Sequence, residues 1–89
     1  MTNEQLRTQL EGLHAELQQA DALDTQQREL LQTLADDIHQ LLHRDENQPH
    51  QYASLGERLN EAVAQLEASH PQVTLLMRRV INSLAGLGI

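Results

Sequence analysis

His39 and His43 stand four residues apart in a stretch of helical periodicity. That spacing brings two imidazoles within reach of one metal ion, and Asp36 lies a turn earlier. A structural zinc site takes four ligands and a catalytic one takes three plus water, so the pair needs His14 or His50 to join it. His39, His43 and Asp36 are therefore weak metal candidates, and the expectation is solvated helix-face histidines with no metal and no cofactor. Ser69 beside His70 suggests an activated hydroxyl. Neighbouring residues on a helix point in different directions, however, and no third group is in view to orient the ring, so Ser69 reads as a helix cap. The carboxylates, Asp36-Asp37 included, fall on polar helix faces and offer no acid/base pair. Gly86 and Gly88 follow the last helix, whereas a phosphate loop must precede one. With neither nucleophile nor base nor ligand set in place, the expectation is a protein that is not an enzyme.

Composition excludes further classes. The chain has no Cys, hence no disulfide, thiolate nucleophile or zinc-thiolate site. Its net charge is −7, its six cations are all Arg, and nine of its thirteen acidic residues lie before residue 46. Such a chain repels phosphate backbones and anionic lipid, so neither nucleic acid nor a membrane is expected as partner. The polar first dozen residues lack a basic segment followed by an apolar one, and no apolar run approaches the roughly 18 residues of a span, which makes cytoplasmic residence the default expectation.

The elements that would position these residues are helices. Leu6, Leu10, Leu13, Leu17 and Ala20 alternate by four and three, a single stripe on a helix over about 3–20 that Thr2 or Asn3 caps. Asp24 followed three residues later by Gln27 matches a capping box and opens a second helix, about 25–44. Its apolar face holds Leu30, Leu31, Leu34, Ile38, Leu41 and Leu42. Residues 45–53 are polar, contain Pro49 and lack periodicity, which predicts a loop. Ser54 with Glu57 forms another capping-box pattern before Leu55, Leu59, Ala62, Val63 and Leu66, predicting a third helix over about 55–68. Pro71 disfavours helix in the residue before it and suits a first turn, so a fourth helix covers about 71–85, with Val73, Leu76, Met77, Val80, Ile81 and Leu84 on one face, a kinked helix continuous with the third being the competing reading. Gly86 then fits a left-handed cap, with Leu87 packing back on Ile81.

Residues 30–42 (Leu30-Leu31 through Asp37-Ile38 to Leu41-Leu42), Ser54-Leu55 to Leu59, Ser69-His70-Pro71 and the terminal Leu87-Gly88-Ile89 resemble domain-of-unknown-function family 4404 over nearly the whole chain. Ser-His-Pro and Leu-Gly-Ile are the most specific marks. Leu66-Glu67 departs from the pattern, which is often aromatic there, in keeping with a chain that has no Phe or Trp. The resemblance implies short, stand-alone bacterial helical proteins and brings no activity, cofactor or catalytic residue.

The expected fold is a single all-α domain of two helical hairpins forming a bundle or antiparallel coiled coil. Large apolar side chains number 26, seventeen of them Leu, a modest supply for a chain this short, and extra burial by self-association is the usual remedy. The expected surface of association is Leu6, Leu10, Leu13, Leu17, Leu31, Leu34, Ile38, Leu41, Val73, Met77, Val80 and Leu84, most simply in a homodimer. Residues 70–89 carry Arg78 and Arg79 and no acid, so the fourth helix is expected to dock on the acidic first hairpin, within the chain or across a dimer. The expected function is oligomerisation or protein interaction. The alternatives are an adaptor holding a partner's amphipathic helix and, in another class, metal binding through His39 and His43.

Overall fold

The computed structural model describes residues 3–43 and 49–86. They form four helices, α1 (Asn3–Gln19), α2 (Thr25–His43), α3 (Pro49–Leu66) and α4 (Pro71–Gly86). Helices of 16 to 19 residues are about 24–29 Å long at 1.5 Å per residue, which accounts for most of the 34 Å long dimension. All four therefore run along one axis. Each packs on its neighbours in sequence, α1 also packs on α4, and among the described residues the backbones of the diagonal pairs stay more than 8 Å apart, Cα to Cα. The result is a closed square bundle with up-down-up-down topology.

Its interior is built from the leucine stripes. Leu13, Leu34, Ile38, Leu59, Ala62, Leu66, Met77 and Val80 are fully buried, and Leu6, Leu10, Leu17, Leu31, Leu41, Leu55, Val73 and Leu84 nearly so. All twelve side chains expected to form an association surface thus lie in the core of one chain. Spacing marks the stripe that must be covered, whereas the direction of each connection decides what covers it. Here α3 and α4 return to cover α1 and α2.

The turn at residues 20–24 carries the capping box that its sequence predicts. The backbone N–H of Gln27 donates to Asp24 Oδ1 (2.7 Å), and that of Asp24 donates to Gln27 Oε1 (3.2 Å). Before it, Ala22 holds a left-handed backbone (φ 54°), uncommon for a residue with a Cβ. The break at Ser69-His70-Pro71 also follows expectation, with α3 ending at Leu66 and α4 opening at Pro71.

Helix α3 departs from expectation. It begins at Pro49, so residues 49–53 are helical although they were expected in the 45–53 loop, and Ser54-Glu57 lies inside the helix rather than capping it. Proline lacks only an N–H that a first turn leaves unpaired, and its φ suits a helix, so Pro49 opens the helix rather than holding the segment in a loop. Tyr52 in this first turn packs against the core. Thr2, residues 44–48 and Leu87 lie outside the described residues, and with them the expected Thr2 cap, the rest of that loop and the packing of Leu87 on Ile81.

Candidate functional site

Three groups of side chains bear on function, and the bundle distributes them over different surfaces. The first lies where α1 meets α2. The ring of half-buried His14 on α1 is 6.2 Å, centroid to centroid, from that of exposed His39 on α2, and His39 is 4.1 Å from His43. The helical spacing of four brings the two α2 rings together as the sequence predicts, and tertiary packing adds the third. His43 Nδ1 lies 2.9 Å from the His39 carbonyl, which can only accept, so Nδ1 carries the proton. Asp36 is engaged by Gln32 Nε2 (3.4 Å), and His50 lines a shallow groove between α2 and α3 with Asp37, Gln40 and Arg58. Among the described residues no three His, Cys, Asp or Glu side chains converge as a metal site would require.

The second group is one that the sequence pattern misjudges. Ser69 Oγ is 2.8 Å from His70 Nδ1, and His70 Nε2 is 2.8 Å from the carbonyl oxygen of Asp21, 49 residues away. The expectation that Ser69 merely caps α4, with nothing to orient the imidazole, is corrected. In the turn between α3 and α4 the helical rule that separates adjacent side chains no longer applies, and the α1–α2 turn supplies the third group. The carbonyl requires a proton on Nε2, so in the neutral ring Nδ1 accepts from the Ser69 hydroxyl. A neutral carbonyl holds the ring but brings no charge to stabilise an imidazolium, unlike the carboxylate of a catalytic triad. Half-buried His70 is thus a latch between the two turns at one end of the bundle. Asp21, held by the latch, and Leu23, packed on the core, flank Ala22 and keep it left-handed.

The third group is the outer surface. Arg7 pairs with Glu11 (3.5 Å) and donates to the Leu42 carbonyl, Arg58 pairs with Asp37 across α2 and α3, and Arg78 pairs with Glu67 (2.9 Å). All three pairs are largely solvated, so each contributes about 0–1 kcal/mol. The fourth helix was expected to dock on the acidic first hairpin. It packs on α1 and on α3, and the acid that takes Arg78 comes from the turn after α3. Ser83 on α4 donates to Gln9 on α1, a polar contact between residues 74 positions apart. Among the described residues Arg79 and Glu16 have no ion pair, and Leu75, 47% accessible, is the one large apolar side chain that is exposed.

The chain matches the family model described as Domain of unknown function (DUF4404) over residues 6–89, all but the first five. It belongs to that family. The match takes in α1 from Leu6 onward, the other three helices and the Ser-His-Pro turn with its latch. No curated protein and no solved structure matches the chain. None of the four helices is long and apolar enough, among the described residues, to cross a membrane.

Proposed function

We propose that this family member is a non-catalytic protein-interaction module that works through the outer faces of its bundle. One observation carries the reading: the apolar stripes are consumed inside a single chain, which leaves the charged and polar exterior as the working surface. The constellation closest to chemistry, Ser69 with His70, joins two turns through a neutral carbonyl and fits a structural role better than general-base work. An adaptor gripping a partner's amphipathic helix would have to displace one of the chain's own helices from the core. A partner resting on an outer face has no such barrier.

Site-specific photo-cross-linking in cells tests this reading. With the probe placed in turn at Leu75 on α4, Gln26 on α2 and Ala64 on α3, all exposed, one face should yield a discrete adduct whose partner mass spectrometry identifies. Equal, diffuse labelling from all three positions would contradict it.

A further inference from the structure

The hydrogen bond from Ser83 to Gln9 fixes which flanks of α1 and α4 lie side by side. On α1 the flank through Gln9 runs along positions 5, 9, 12, 16 and 19, and on α4 the flank through Ser83 runs along 72, 76, 79, 83 and 86. Glu16 is the only charge on the first and Arg79 the only charge on the second. Every other seam between neighbouring helices is crowded with ionisable groups or closed ion pairs: Arg7, Glu11 and the histidine row at α1–α2, Asp37–Arg58 at α2–α3, and Glu67–Arg78 at α3–α4. Interface centres are depleted of charge, so the α1–α4 face is the one suited to close contact. It also carries exposed Leu75 on its outer edge, and nothing lies within 4 Å of where a Cβ on Gly12 would sit.

Building on the interaction-module reading, we propose that the α1–α4 face docks a second copy of this chain about a two-fold axis parallel to the helices. Because the helices are antiparallel and Gln9 is level with Ser83, Arg79, four residues before Ser83, is level with the region of Gly12 and Leu13. Leu75 is level with the region from Ala15 to Gln19. The two-fold lays α4 of each copy over α1 of the other at unchanged height. The Arg79 stem then crosses the opening at Gly12 and its guanidinium reaches Glu16 of the second copy, while Leu75 comes down beside Ala15. Glu16 and Arg79, which have no ion pair among the described residues and are the charges on this face's two flanks, are opposite in sign and satisfy each other twice, and this complementarity selects a second copy as the occupant. The molecule's extents of 34 and 22 Å limit the projected contact to roughly 750 Å², of the order of the roughly 800 Å² per partner of a standard interface.

Light scattering across a concentration series tests the proposal on the full chain and on Arg79→Glu, Glu16→Arg and the double exchange, with circular dichroism confirming that each is folded. The wild type should reach twice the 10.1 kDa chain mass, each single reversal should shift the midpoint of dissociation at least tenfold toward higher concentration, and the double exchange should restore it. Leu75→Glu should weaken association as well. A wild type that stays at the single-chain mass, or one whose dimer is indifferent to all four variants, overturns the proposal. Neither result touches the broader interaction reading, which falls only if cross-linking from the outer faces finds no discrete partner of any kind.

Discussion

His39 and His43 on α2 and His70 in the turn before α4 invite opposite readings from sequence and from structure. The first two have the spacing of a chelating pair, but His39 and His43 are exposed and, among the described residues, meet no third converging ligand and make one short-range bond to their own helix. His70 has no such motif, yet both its ring nitrogens are engaged and one reaches across 49 residues to the Asp21 carbonyl. The difference teaches that spacing along one helix reports which side chains are neighbours, while the number of partners from elsewhere in the chain reports which of them hold the molecule together.

Substitutions sharpen the comparison, beginning with the helix face on which a change falls. Leu34 lies on the same helix as His39 but is completely buried. Leu34→Asp removes a core leucine, at about 3–5 kcal/mol, and adds an unpaired carboxylate, so the protein should be unfolded at room temperature by circular dichroism. His70→Ala should cost about 1–2 kcal/mol through loss of the bridge between the turns, lowering the melting temperature by roughly 4–16 °C for a domain of this size. Ser69→Ala loses only the exposed hydroxyl contact and should cost under about 1 kcal/mol, with the Asp21 bond intact. Hydrogen exchange at the two turns would separate these variants, since only His70→Ala should loosen both together. His39→Ala should lie within about 0.5 kcal/mol of the wild type in thermal melts, because the bond from His43 goes to the backbone of residue 39 and survives. A larger loss for His39→Ala than for His70→Ala would reverse the ranking.

Much of this architecture is legible in local spacing. The alternation of four and three places Leu6 to Leu17 on one stripe, the Asp24-Gln27 pair announces the start of α2, and Pro71 announces that of α4, because each depends on chemistry within one or two helical turns. Pro49 shows the limit of such reading, since the same proline is a breaker inside a helix and a good opening residue. What is not legible depends on which segments meet. The contacts Ser83–Gln9 and His70–Asp21 join residues 74 and 49 positions apart, and no period in the sequence relates them. The leucine stripes carry the same ambiguity, for a stripe states that it must be covered without stating whether the cover is the same chain or another.

The closed interior is the central claim, and the most direct test is to dilute the protein until light scattering gives the mass of one chain, 10.1 kDa, then record its helicity and thermal melt. A bundle that closes on itself keeps its full helical signal and a cooperative melt as a single chain, with any association added on the outside. Helicity that collapses as the mass falls to that of one chain would contradict this account, because the stripes would then be covered only between chains.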